Sequence, residues 1–187
     1  MKILVYSKDT IEKLLTNSIY KHRFENSLFI SINCWTHYDG QYAERNPIPA
    51  EFQDKTCYLW FDDQVNSSVF DNLLKRDKIK EAPKWKNKEY YLFNEKLADK
   101  IINFLNANIK ETTESIVIHC TAGISRSGAI GIALNDFYNK FLENNPQDWN
   151  WFNHSGHEKA LDPNPLVKAI LYRKLGMSYD GYEKIDE

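Results

Sequence analysis

Residues Ile116 to Gly131 read "IVIHCTAGISRSGAIG". The first part is an apolar, β-branched run that ends on a histidine and a cysteine. Five small or uncharged residues, an arginine and a serine follow, and then a segment with the apolar spacing of a helix. Strand, tight loop and helix in direct succession form the unit from which α/β folds are built, and in open α/β sheets ligands gather outside the carboxyl ends of the strands. Cys120 stands at such an end. A lone cysteine at a strand-to-helix turn is commonly a core thiol, so the surrounding residues must decide whether this one is more.

Working outward, three further runs read as strands, at Ile3–Tyr6, Ser27–Ile32 and Cys57–Phe61, alongside Ser115–His119. Each is almost continuously apolar rather than alternating, as expected for strands buried on both faces of a parallel sheet. Helical spacing is found at Lys8–Asn17, Tyr90–Asn108, Gly128–Glu143 and Pro165–Leu175. Strands alternating with helices predict one α/β domain over residues 1–187, with a central, mostly parallel sheet flanked by helices. Two segments look inserted. Residues 73–91, "LLKRDKIKEAPKWKNKEYY", are strongly basic, and residues 144–163 are rich in aromatic and turn residues.

A chain of 187 residues suffices for one full core. Its formal charge of -2 gives no general attraction to nucleic acid or to an anionic membrane, so any polyanionic partner must be met locally. Cys34, Cys57 and Cys120 are too far apart for a zinc site or a dense disulfide framework, which suggests thiols in a reducing compartment. The opening "MKILVYSKDTIEKLL" turns polar too early for a signal peptide, and no later run is long enough to cross a bilayer. A cytoplasmic location away from membranes is the expectation. The histidines of "HSGH", residues 154–157, sit in a Gly-containing stretch without further ligands nearby, and no metal site is assigned to them.

The loop between Cys120 and Arg126 can do specific chemistry. Thr121, Ala122, Gly123, Ile124 and Ser125 are uncharged, and Gly123 can take backbone angles closed to other residues. Such a loop can turn its N–H groups inward as an anion-binding nest, with the positive end of the following helix behind it. The same field favours the ionised form of a thiol at its centre. Arg126 adds a planar fork that can hold two phosphate oxygens at once and stays charged. Ser127 can donate a hydrogen bond to the sulfur and ease its later departure. His119 is better suited to brace the loop than to act as a base, because a thiolate held by a nest needs no proton acceptor.

These residues carry a resemblance. "HCTAGISRSG" resembles the His-Cys-x5-Arg-Ser signature of the cysteine-based protein tyrosine phosphatases, and "AGISRS" looks most like their dual-specificity branch. The segment "DPNPLVKAILYRKL", from Asp162 to Leu175, is similar to the Pro-Asn helix start that follows the catalytic helix in that branch. The likeness is strong over residues 115–142 and weak elsewhere. It implies attack by Cys120 on phosphorus, a cysteinyl-phosphate intermediate, and its hydrolysis by water, with residues 121–126 binding phosphate. No metal or cofactor is implied. The expected partner is a phosphorylated protein, met by a monomer. Asn164 is expected either to hydrogen-bond near the loop or to serve as a plain helix cap.

The resemblance also implies a general acid on a loop after an upstream strand. "CYLWFDDQ" offers Asp62 and Asp63, whose neighbouring side chains diverge on an extended chain. The family pattern places the acid second in the pair, at Asp63, leaving Asp62 solvent-facing or as a loop brace. The separation of Asp63 from Cys120 exceeds the usual one, and the basic insertion accounts for the excess. An inositol phospholipid phosphatase is disfavoured by a loop without lysine, while the insertion keeps an RNA 5′-phosphatase open. A phosphate-binding pseudoenzyme would retain the cradle and lose the chemistry, and a rhodanese-type sulfurtransferase fits "AGISRS" poorly. Cys34, at the end of its strand, is a candidate for a protective disulfide with Cys120 or a plain buried thiol.

Overall fold

The computed structural model describes residues 1–33, 47–63, 84–85, 88–89, 92–142 and 161–178. Cys34, the "HSGH" stretch and most of both insertions lie outside them. Four strands, β1 (Lys2–Ser7), β2 (Ser27–Asn33), β3 (Thr56–Trp60) and β6 (Ser115–Cys120), form one sheet in the order β1-β6-β2-β3, with every pair parallel. A two-stranded antiparallel ladder, β4 (Lys84–Trp85) with β5 (Lys88–Glu89), stands apart within the basic insertion. All residues of β2 and β6 are buried, as their unbroken apolar character requires of strands covered on both faces.

The side chains alternate between two apolar layers. Ile3, Val5, Leu28, Ile30, Ile32, Ile116 and Ile118 pack into the larger one. It is completed by α3 (Glu95–Asn108), α4 (Arg126–Asn135) and α5 (Pro165–Lys174). Phe29 and Val117 point the other way, against Ile11 and Leu15 of α1 (Lys8–Thr16) and against Phe24, Ile48 and Phe52. Short helical pieces at His22–Phe24 and Ala50–Lys55 close that second layer through Phe24 and Phe52, and the adjoining Ser18–Lys21 (α2) buries none of its residues. The Phe52 ring lies 5.3 Å from the Phe29 ring. These three pieces are too short to show an apolar period in the sequence.

Two expected helices end differently from their sequence pattern. The one expected from Tyr90 begins at Glu95, because the Asn94 side chain accepts from the Leu97 N–H at 3.1 Å and caps it. The one expected over Gly128–Glu143 is α-helical over Arg126–Asn135 and continues as a π-helical segment over Asp136–Leu142. There the buried Asn139 amide donates to Asn135 Oδ1 at 2.7 Å. Nearly all of α4 is buried, between the sheet and α5. It rides close on β1: a Cβ on Gly131 would lie 2.5 Å from Val5 Cγ2. The ion pairs of Arg173 with Glu95 and of Lys174 with Asp99 join α5 to α3 at the surface. Exposed pairs contribute at most about 1 kcal/mol each, so the buried Ile170 and Leu171 hold α5 more than these charges do.

Candidate active site

β6 lies between β1 and β2, so its last residue, Cys120, falls at the centre of the sheet's carboxyl edge. The chain then bends through residues 121–125 into α4. Gly123 allows the bend at φ +74, in the left-handed region. It also presses against the end of β1, where an added Cβ would meet Ser7 N at 2.5 Å and Tyr6 C at 2.6 Å. A side chain here is excluded twice, by conformation and by space.

The loop folds around the sulfur. Gly123 N–H donates to Cys120 Sγ at 3.3 Å, and the Ser127 hydroxyl lies 3.1 Å from the same atom. Arg126 is buried, with Nη1 donating to the Phe61 carbonyl at 3.0 Å and Nη2 to Thr121 Oγ1 at 3.2 Å. Its guanidinium thus ties the end of the β3 segment to the first residue of the loop. Thr121 and Ala122 are exposed, so the loop opens to solvent on that side.

Three helices begin at this loop. α4 starts from it directly. The Lys8 N–H at the head of α1 donates to the Thr121 carbonyl at 3.3 Å. The N–H of Asn164, which caps α5, donates to the Ser125 carbonyl at 3.2 Å. Helix N-termini carry partial positive charge, and the buried Arg126 guanidinium adds a full one beside the loop. The role of α1 was not anticipated, although "YSKDT" carries the signal: Ser7 accepts from the Thr10 N–H at 3.2 Å as an N-cap.

Asp63 comes to the same place from the other half of the chain. Its Oδ1 accepts from Ser125 Oγ at 2.8 Å and from Asn164 Nδ2 at 3.0 Å. Asn164 realises both of its expected alternatives, because its Oδ1 also accepts from the Val167 N–H at 3.2 Å and caps α5. Of the two alternatives for Asp62, the solvent-facing one is overturned and the loop brace remains: Asp62 is buried, and Asp63 is the exposed member of the pair. The divergence of neighbouring side chains holds, but the inward direction belongs to the first carboxylate.

His119 is fully buried, in register with Tyr6 of β1 and Ser31 of β2. Strand alternation turns it to the face opposite Cys120. Burial, with Lys8 and Arg126 adding to it, pushes its imidazole down to about 3, so the ring is neutral at neutral pH. Among the described residues its ring makes no hydrogen bond. Also among the described residues, no group of three or more His, Cys, Asp or Glu side chains could hold a metal ion. No helix there is long and apolar enough to cross a membrane. Compared with known proteins, the chain matches no family model, no curated protein and no solved structure.

Proposed function

We propose that this protein is a cysteine-dependent phosphatase that hydrolyses phosphotyrosine in proteins through a cysteinyl-phosphate intermediate, with the Cys120–Arg126 segment as its phosphate loop. The observation that carries the reading is the meeting of three helix starts and Arg126 at a loop where one cysteine sulfur receives the Gly123 N–H and lies beside the Ser127 hydroxyl. A tetrahedral dianion suits such a site, because backbone donors and a guanidinium fork meet several oxygens at once.

In the first step the Cys120 thiolate attacks phosphorus, the S–P bond forms and the bond to the tyrosine oxygen breaks. Asp63, in its protonated form, delivers a proton to the departing oxygen. In the second step water attacks phosphorus, Asp63 takes its proton, and the sulfur leaves as thiolate. The Gly123 N–H and the Ser127 hydroxyl receive the returning charge on sulfur. Arg126 exchanges its contacts with Phe61 and Thr121 for the phosphoryl oxygens. A free thiolate of this kind needs a reducing surrounding, in keeping with a cytoplasmic monomer.

A phosphate-release panel tests this reading, with phosphotyrosine, phosphoserine and phosphothreonine peptides, an inositol phospholipid and 5′-triphosphorylated RNA. Release from the phosphotyrosine peptide by the wild type and not by Cys120→Ser is expected. Preference for the RNA or the lipid would move the substrate class, and release from no substrate would leave a phosphate-binding protein.

A further inference from the structure

Among the described residues, Asp63 is tethered through one oxygen only. Both hydrogen bonds it receives, from Ser125 Oγ and from Asn164 Nδ2, go to Oδ1. The residue is exposed on a segment that follows a strand, where a carboxylate would otherwise sample many positions. The donors come from two separate elements, the phosphate loop and the cap of α5. The two are also tied to each other: the Ser125 carbonyl accepts from Asn164 N at 3.2 Å and from Ala129 N at 2.9 Å, and Asn164 is buried at the head of α5.

Resting on the phosphatase reading, we propose that Ser125 and Asn164 form a two-point clamp that positions Asp63 as the proton donor, and that Ser125 serves the acid rather than the phosphate through its side chain. The clamp has a chemical direction. With Oδ1 accepting twice, the transferable proton of the acid form resides on Oδ2. When that proton passes to the leaving oxygen, the charge left on Asp63 is shared with Oδ1, where both hydrogen bonds become charge-assisted and stronger. The clamp therefore stabilises the transition state of proton transfer more than the resting acid. The second step reverses this order, with Oδ2 taking the proton from water and the same two bonds releasing charge. The clamp also sets the donor's place, because Ser125 directly precedes the phosphate-holding Arg126.

The test compares two leaving groups in Ser125→Ala, Ser125→Thr, Asn164→Ser and the Ser125→Ala/Asn164→Ser double variant. Asn164→Ser keeps a capping hydroxyl for α5 and removes the amide donor. Each single loss should slow phosphotyrosine cleavage about tenfold, and the double variant should approach the hundredfold loss of a missing general acid. Cleavage of an aryl phosphate with an acidic phenol should fall much less, so the leaving-group dependence of kcat steepens. Ser125→Thr, which retains the hydroxyl, should restore the wild-type dependence. Equal losses for both leaving groups, or no rescue by threonine, would overturn the clamp while leaving the phosphatase reading intact. Full activity of Cys120→Ser in the same assay would remove that reading itself. Thermal unfolding identifies any variant that has lost its fold, and Ser125→Ala, which leaves the α5 cap untouched, keeps the inference testable if Asn164→Ser is unstable.

Discussion

Cys57 and Cys120 are each 2% exposed, and both side chains belong to the same apolar layer of the sheet. Their surroundings differ in one respect that decides their chemistry. Cys57 lies near the start of β3 among apolar neighbours, where burial pushes its thiol up to about 11 against a smaller opposing effect of Lys100. Cys120 ends β6 beside an N–H donor and a hydroxyl, at the point where three helices begin. If Cys120 is the nucleophile proposed above, exposure does not distinguish it from a structural thiol. Position along the strand does, because backbone donors are spent in the ladder until the strand ends and become available where the chain turns.

The largest expected effect separates the two thiols directly. Cys120→Ser should reduce turnover by roughly a thousandfold or more, as loss of a nucleophile does. Cys57→Ser should keep kcat and lower stability by about 1–3 kcal/mol for a buried hydroxyl. In native protein near neutral pH, iodoacetamide should modify Cys120 and spare Cys57, read by peptide mass spectrometry. Modification of Cys57 at a comparable rate would abolish the contrast. Arg126→Lys should also lose most activity, because an ammonium cannot span two oxygens from one planar group.

Next in size is the acid. Asp63→Asn should slow phosphotyrosine hydrolysis by about a hundredfold while an activated aryl phosphate falls much less. Asp62→Asn, at a buried position, should act on stability rather than on leaving-group dependence. If Asp62→Asn instead steepened that dependence, the assignment of the two carboxylates would be reversed.

Gly123→Ala probes the loop without touching a reactive group. Its positive φ and the 2.5 Å approach to Ser7 N should force the loop away from β1. A loss of about 1–3 kcal/mol in stability is expected, together with lower kcat, in urea unfolding and steady-state assays. Wild-type activity with an alanine there would mean that the sulfur cradle does not depend on this backbone conformation.

The effect expected to be smallest on activity concerns His119, on the face turned away from the sulfur. Its folded-state value of about 3 lies below the unfolded value near 6.5, so the unfolded chain takes up the proton first as pH falls. Stability should be unaffected by this group above about pH 6.5 and decline below it, with a slope of up to about 1.4 kcal/mol per pH unit, until the folded ring itself titrates. Urea unfolding between pH 7 and pH 4 should show a shallower decline in His119→Gln than in wild type. Equal slopes would mean that the ring titrates alike in the folded and unfolded chain.

How far the sequence speaks depends on the range of the interaction. The four strands and the Cys120–Arg126 loop were legible in it because their signals are local: continuous apolar runs and a glycine where φ must be positive. The same locality made Asn164 visible as a cap before Pro165. The helix start at Glu95 was missed because apolar spacing upstream masked the local Asn94 cap, and the short turns that bring Phe24 and Phe52 onto Phe29 carry too few residues to show a period. What only the tertiary structure decided are the meetings between distant segments. No local rule brings the head of α1 to Thr121, sets Phe61 as the anchor of Arg126, or turns Asp62 inward and Asp63 toward Ser125 and Asn164. Those choices follow from insertion of β6 between β1 and β2, which gathers the ends of strands and the starts of helices from both halves of the chain on one edge of the sheet.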